Sequence, residues 1–322
     1  MVMNKNMNIV VQVHGEMVKN KGEDSYSEYI QDDRGYIGIY DGCGGIGSKR
    51  YRKAGGNTGA YLASRLTALS VYRWVKSHIG DIDYFMGNDV HHELQNYIRE
   101  SLNHCKEILD DDVGIRLKGG LSRTFPTTAA LFFYNCREND IYLKFMWAGD
   151  SRGYIFDKYG LAQVTKDDID ENQDAFSNLT NDSKLENVIN ADKDFVINER
   201  SIVIKKPCMV LVSSDGVFGY IPTPMEFEYM LLATLERSES FHEWQNRISK
   251  FVSEYASDDY TLTIGLFGFE SFDDVKAYYN VRKKYMYTAY IKKISAGRKR
   301  EASVNLKQYW NIYSETYERY LR

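Results

Sequence analysis

The stretch Gly35-Tyr36-Ile37-Gly38-Ile39-Tyr40-Asp41-Gly42-Cys43-Gly44-Gly45 decides how the rest of the chain reads. Its side chains alternate, so that Ile37, Ile39 and Asp41 share one face of a β-strand. A buried strand face that ends in a carboxylate is a candidate site as well as a structural element. Before it, residues 8–14 and 27–31 have strand patterning; after it, residues 57–79 and 91–109 carry apolar positions at helical spacing. Two apolar runs, 127–134 and 141–148, flank the polar turn 135–140 and form a hairpin that leads to Asp150. Strands are expected again at 154–156, 195–205 and 208–213, helices at 224–235 and 241–255, and a last strand at 261–269. Runs of strands and runs of helices, without strict alternation, predict an α+β fold with mainly antiparallel sheets.

The composition is that of a folded protein. Its 322 residues are 43% apolar and 27% charged with only 4 Pro, which excludes wholesale disorder, a disulfide mini-scaffold and a fibrous repeat. Residues 1–15 have no apolar segment after a basic start, and no run approaches the roughly 18 apolar residues that span a bilayer. A soluble, unexported chain with no membrane partner is expected. Cys43, Cys105, Cys136 and Cys208 stand far apart without a C-x-x-C pair, so reduced thiols and a cytoplasmic location are the expectation. The net charge of −4 conceals an asymmetry: residues 276–322 hold 12 Lys and Arg against 3 Glu, which leaves the remainder strongly acidic.

Three local patterns point elsewhere and fail on their surroundings. Residues 42–47 match G-x-G-x-x-G between a strand and a helix, but Asp41 at the mouth would repel a pyrophosphate, and residues 48–80 contain no Asp or Glu to hold a ribose. Gly149-Asp150-Ser151-Arg152 is similar to the nucleophile block of Gly-Asp-Ser esterases, whose activating His comes later in the chain. Here Asp89-Val90-His91-His92 precedes Ser151, and His242 is the only later histidine. Residues 168–174 begin like a calcium loop, yet Gln173 stands where the turn glycine belongs and Leu179 where the bidentate Glu belongs.

What survives is a set of acidic motifs at strand ends: Glu23-Asp24-Ser25, Asp41-Gly42-Cys43-Gly44-Gly45, Gly149-Asp150-Ser151-Arg152 and Ser214-Asp215-Gly216, followed by Asp258-Asp259-Tyr260-Thr261. A lone Asp-Gly is ordinarily a tight turn. Carboxylates gathered at one sheet edge, however, repel one another unless divalent cations sit between them, and an all-oxygen set favours Mg²⁺ or Mn²⁺ over Zn²⁺. Gly42 then has a use, because it lets a backbone carbonyl approach an ion.

In this order, together with Thr127-Thr128-Ala129, the motifs resemble the bacterial type of the metal-dependent serine/threonine protein phosphatases, the PPM or type-2C family. The resemblance runs from residue 7 to residue 269. It implies a four-layer α/β/β/α sandwich of two antiparallel sheets flanked by helices, with a binuclear Mn²⁺ or Mg²⁺ centre at one end. It implies that Asp41 bridges both ions, that Asp215 and Asp258 complete the first, and that the Gly42 carbonyl with Glu23 and Asp24, through water, serves the second. Asp150 with Asp215 matches a third, weaker position. The implied chemistry is direct hydrolysis of phosphoserine and phosphothreonine by a metal-activated water, without a phosphoenzyme. The implied partner is a phosphorylated protein in a signalling pair with a Ser/Thr kinase or its target.

Three positions depart from the family pattern. Cys43 occupies the place of a His proposed to protonate the leaving alkoxide, and a thiol is a poor acid near neutral pH, so aryl phosphates are expected to be handled relatively better than alkyl ones. Lys19 stands where an Arg grips the substrate phosphate and offers a point charge without the planar fork; Lys21 or Arg152 could assist, unless Arg152 is a structural strand-edge residue. Asp259 replaces an Asn beside Asp258, either to strengthen metal binding or to face solvent. The alternative function is a catalytically weak or inactive phosphatase-like binding module, which the losses favour and the retention of Asp41, Asp215 and Asp258 opposes.

Two segments lie outside the motifs. Residues 166–194 carry nine Asp and Glu against three Lys and read as a surface excursion, either a mobile flap beside the site or a solvated connector. Residues 271–322 read as a basic, Tyr-rich helical extension of a 1–270 phosphatase domain. Tyr309, Tyr313, Tyr317 and Tyr320 line one helical face, with Leu306, Trp310 and Leu321 close by. This stripe is expected to dock on the protein's own acidic body ahead of a partner protein; nucleic acid is the less favoured occupant.

Overall fold

In the computed structural model, which describes residues 7–31, 33–109, 122–170, 174–180, 184–299 and 306–322, the strand that ends at Asp41 is buried on both faces. That double burial sets the layers. Tyr36 and Tyr40 pack with Trp74, Leu94 and Ile98 on the helix side, whereas Ile37 and Ile39 pack with Val210, Val212 and Phe267 between two sheets.

The elements run β1 (Met7–Gly15), β2 (Ser25–Ile30), β3 (Arg34–Gly42), β4 (Arg50–Tyr51), β5 (Asn57–Thr58), α1 (Gly59–His78), α2 (Ile82–Met86), α3 (Val90–Leu109), β6 (Thr127–Arg137) and β7 (Asp140–Ala148). They continue with β8 (Arg152–Asp157), β9 (Gly160–Gln163), α4 (Ser177–Thr180), β10 (Asn198–Lys205), β11 (Cys208–Ser213), α5 (Asp215–Phe218), α6 (Pro224–Glu236), α7 (Phe241–Ser253) and β12 (Tyr260–Phe269). Then come α8 (Phe272–Met286), a π turn (Tyr287–Ile291), α9 (Lys292–Lys299) and α10 (Leu306–Tyr317). One sheet has the order β1-β12-β11-β8-β9 and the other β10-β7-β6-β3-β2, with antiparallel pairing throughout. Helices α1 and α3 cover the second sheet, and α6, α7, α8 and α10 cover the first, giving the α/β/β/α layering.

Long elements follow the sequence periodicity, and short ones do not. β9, α2 and α5 have four or five residues, too few to display a period. The strand expected from residue 195 begins at Asn198, because Phe195 and Ile197 reach the helix-side core from a loop. Helix starts follow local chemistry: Thr58 and Thr223 accept the N–H groups of Tyr61 and Glu226 at 3.1 and 3.2 Å, and Pro224 opens α6.

Strand direction gathers the motifs at one end of the sandwich. Gly15 pairs with Tyr260, Ser213 with Arg152, Asp41 with Thr128, and Ala129 with Ala148, so the loops carrying every acidic motif leave from the same edge. The C-terminal helices share the outer core of the first sheet, where Trp310, Tyr313 and Tyr317 are buried. Glu228, fully buried, binds Arg282 at 2.6 Å and accepts the Tyr313 hydroxyl at 2.6 Å, so the extension is fastened by a charged network as well as by apolar contact. Among the described residues, no helix is long and apolar enough to cross a membrane.

Candidate metal centre

Small side chains and glycines weld the motif turns into one unit. The Thr127 hydroxyl donates to the Asp41 carbonyl at 2.7 Å, and Thr128 Oγ1 lies 2.7 Å from Ser151 Oγ. Gly149 has φ 92° and sits so close to Thr128 that a Cβ would fall 2.7 Å from the threonine Cβ, which ties the turn bearing Asp150 to the strand beside Asp41. A Cβ on Gly216 would lie 2.0 Å from the Asp259 carbonyl oxygen, so the Asp215 turn rests directly on Asp258-Asp259. Ser214 Oγ donates to Asp24 at 2.8 Å and accepts the Thr261 N–H at 2.9 Å. The Thr58 hydroxyl donates to Glu23, whose carboxylate lies against Gly44.

The carboxylates feel one another. Burial, with Asp215 adding to it, pushes the Asp24 carboxyl up to about 7 against the hydrogen bonds of Thr261 and Ser214. Burial, followed by Asp215 and Asp167, pushes Asp150 up to about 8. Asp41 is held well above the usual carboxylate range by burial and then by Asp24 and Asp215, and Glu23 and Asp258 are also raised, burial first. Among the described residues, no Lys, Arg or His forms an ion pair with Asp24, Asp41, Asp215 or Asp258. Nor do three His, Cys, Asp or Glu side chains among them stand together at metal-ligating spacing. Bare carboxylates repel, and a divalent cation is what would draw them together. The donor chemistry fits a hard ion: acidic oxygens at one edge, raised by burial and then by one another, with no imidazole among the described ones.

Sequence-predicted residues take distinct places. Asp24, Asp41, Asp150 and Asp215 interact as a set, and Asp258 and Glu23 border it. Cys43 is half-buried, and burial, then Asp150 and Asp215, hold its thiol well above the ordinary range, so the sulfur keeps its proton. Lys19 and Lys21 are exposed on the β1–β2 loop. Arg152 is buried and spans Asp167 with both ends of its guanidinium, Nε to Oδ1 at 3.0 Å and Nη2 to Oδ2 at 2.6 Å, with the Phe218 ring 4.4 Å away. This pairing is that of a structural strand-edge residue, and Arg152 also lines the cavity that contains Asp150 and Asp215. Asp259 is half-buried: it accepts the N–H groups of Met17 at 2.7 Å and Glu23 at 2.6 Å, and its charge is among those that raise Glu23, Asp24 and Asp258.

The described parts of the acidic segment are pinned rather than loose. Asp168 Oδ2 accepts from the Gly149 N–H at 3.0 Å, Asn187 at 2.7 Å and Asn198 at 2.8 Å, and Ile189 exchanges two backbone hydrogen bonds with Thr127. A cleft of about 740 Å³ opens between this segment and the glycine run, lined among others by Cys43, Asp150, Arg123, Leu185 and Lys193. Asp167, Asp168 and Arg123 are site-forming residues that sequence reasoning missed. Nothing local sets the two aspartates apart from the seven other acids of their segment.

No family model matches the sequence, and no curated protein matches it. Solved structures do match the fold. The Mycobacterium tuberculosis serine/threonine phosphatase PstP/Ppp is 18% identical with TM-score 0.55, covering 81% of this chain and 99% of its own. The serine/threonine phosphatase Stp1 from Staphylococcus aureus is 14% identical with TM-score 0.56, covering 82% and 96%. The PPM Ser-Thr phosphatase MsPP from Mycobacterium smegmatis, solved with cacodylate, is 13% identical with TM-score 0.53, covering 81% and 98%. With its two antiparallel sheets, its flanking helices and its acidic motifs at one sheet edge, the chain has the fold of the bacterial PPM serine/threonine phosphatases.

Proposed function

We propose that this protein is a metal-dependent phosphoprotein phosphatase that hydrolyses phosphoserine and phosphothreonine. One observation carries the reading: burial, and then neighbouring carboxylates that include Asp215, raise the proton affinity of Asp24, Asp41 and Asp150 at one sheet edge, and among the described residues none of Asp24, Asp41 and Asp215 has a cationic side chain paired with it. That arrangement is costly for a fold and useful for holding divalent cations. Asp41, Asp215 and Asp258 would hold one Mn²⁺ or Mg²⁺ ion, the Gly42 carbonyl with Glu23 and Asp24 a second, and Asp150 with Asp215 a third. When bound, such ions supply Lewis acidity, making water nucleophilic near neutral pH and offsetting charge on phosphoryl oxygens.

The chain's own groups do the rest. Asp41 and Asp215 would anchor the ions and so fix where a phosphoryl group can sit. Lys19, exposed on the loop that Asp259 ties to Glu23, attracts the phosphate dianion as a point charge. Cys43, protonated and beside the same carboxylates, gives little help to an alkoxide leaving group. The cleft shared by Cys43 and Asp150 admits a phosphorylated side chain with its flanking peptide.

The test is hydrolysis of p-nitrophenyl phosphate and of phosphoserine and phosphothreonine peptides by purified protein with Mn²⁺ or Mg²⁺, against EDTA and an Asp215→Asn variant. Metal-dependent turnover that the variant loses is expected. A folded protein with no turnover in either metal would replace this reading with a phosphatase-like binding module.

A further inference from the structure

The C-terminal helix touches the back of the segment that walls the carboxylates. Residues 174–180 stand between them. On the inner side, Asn178 and Leu179 line a cavity of about 260 Å³ together with Asp150, Asp215 and Phe218. On the outer side, the Phe176 and Trp310 rings lie 5.8 Å apart, the Ala175 N–H donates to Glu318 at 2.9 Å, and Phe176 and Leu179 pack against the core cluster that contains Trp310 and Tyr317.

A second line of contact runs through Arg152. The Tyr317 ring is buried 6.2 Å from that of Tyr154 and beside the Arg152 guanidinium, whose charge opposes the effect of burial on the phenol. Arg152 in turn holds both oxygens of Asp167 and donates to the Ala175 carbonyl at 3.4 Å, and Asp167 also takes the Asn178 side-chain amide at 3.2 Å. Arg319, just beyond α10, pairs with Asp157 at 3.1 Å and donates to the Gly160 carbonyl, which ties the helix end to the β8–β9 turn. Apolar filling alone needs no carboxylate on the flap backbone and no phenol beside Arg152. Two independent routes therefore connect α10 to the wall of the carboxylate cavity. The solved phosphatase structures are matched over 96 to 99% of their length but over only 81 to 82% of this chain, so nearly a fifth of it has no counterpart in them.

We propose that α10 and the residues just after it brace the 174–180 segment, with Trp310, Tyr317 and Glu318 acting as positioning residues for the site around Asp150 and Asp215. The kinetic consequence rests on the phosphatase reading; the mechanical consequence does not. A well-packed local segment opens only through its own sub-global equilibrium, so removing one brace raises its opening without unfolding the domain.

The experiment uses full-length Glu318→Ala, Glu318→Gln and Tyr317→Phe proteins. Hydrogen exchange across 174–180, the Mn²⁺ concentration for half-maximal thermal shift, and kcat and KM on p-nitrophenyl phosphate are measured for each. Glu318→Ala is expected to speed exchange of 174–180 at least tenfold and to raise the Mn²⁺ half-point several-fold, while exchange in β3 and β12 stays unchanged. Glu318→Gln restores both, because its amide oxygen accepts the same N–H. Tyr317→Phe keeps the ring and is expected to shift the Mn²⁺ half-point alone, giving a readout if the alanine variant fails to fold. Unchanged exchange and half-point in Glu318→Ala, or equal damage from Gln and Ala, overturns the brace. Absent turnover in the unsubstituted protein, with the exchange pattern as expected, overturns the phosphatase reading and leaves the brace standing.

Discussion

The Asp259 carboxylate accepts the backbone N–H of Glu23 at 2.6 Å, across 236 residues of sequence. Its other oxygen takes the N–H of Met17 at 2.7 Å, so one side chain closes the loop that delivers Glu23 and Asp24 to the site. Asp259→Ala is expected to leave both donors to water or unpaired, costing about 1–3 kcal/mol of stability and raising the Mn²⁺ needed for half-maximal thermal shift several-fold. Asp259→Asn keeps one acceptor oxygen and falls between. An alanine variant with unchanged melting temperature and unchanged Mn²⁺ response would remove the clamp from the account.

Metal removal should make stability depend on pH. Burial raises Asp24 to about 7 and Asp150 to about 8. An acid whose folded pKa lies above its unfolded value of about 4 binds its proton more tightly in the fold, so its stabilising contribution is full below pH ~4 and is lost as pH rises through the folded values. In EDTA, the melting temperature is expected to fall by several degrees between pH 5 and 8, and Mn²⁺ to restore more at pH 8 than at pH 5. Asp41→Asn removes one repelling charge: it should raise the melting temperature in EDTA while abolishing the Mn²⁺ shift and turnover. Scanning fluorimetry across pH reads both effects, and a flat profile in EDTA refutes the mutual-repulsion argument.

Arg152 and Asp167 form a buried two-point pair, with the arginine only 2% exposed. Arg152→Met leaves the Asp167 charge buried without its partner, for which the expected loss is about 3–5 kcal/mol. Arg152→Lys recovers little of it, since an ammonium cannot match the two-point geometry. A substrate-binding role gives a different signature: a raised KM with an unchanged denaturation midpoint.

The Cys43 thiol, held protonated by burial and by Asp150 and Asp215, is a weak general acid. Cys43→His is therefore expected to raise kcat on a phosphoserine peptide at least about tenfold, towards the roughly 10²–10⁴-fold that a positioned proton donor contributes, and to change p-nitrophenyl phosphate turnover little. Equal gains on both substrates, or none, would show that leaving-group protonation does not limit this enzyme.

Much of the candidate site is legible in the sequence because its parts are local. The alternation of Ile37, Ile39 and Asp41 names a strand and its carboxylate end, and Thr127-Thr128-Ala129 names the strand that pairs with it. The acids of residues 166–194 were not legible in the same way. Asp167 grips Arg152 and Asp168 gathers Gly149, Asn187 and Asn198, yet neither has a neighbour in sequence that distinguishes it from Asp170 or Asp174. The pairing of Arg152 with Asp167 is equally invisible in the local sequence.

By itself the sequence determined the α+β class, the strand that ends in Asp41, and an all-oxygen set of carboxylates at strand ends, because periodicity and motif chemistry act over a few residues. Tertiary structure decided which acids share one field, that Asp259 closes a loop, that Arg152 serves Asp167, and that α10 lies against the flap with Glu318 on the Ala175 N–H. These are contacts between residues far apart in the chain. Sheet register and core packing choose such partners, and no local pattern encodes them.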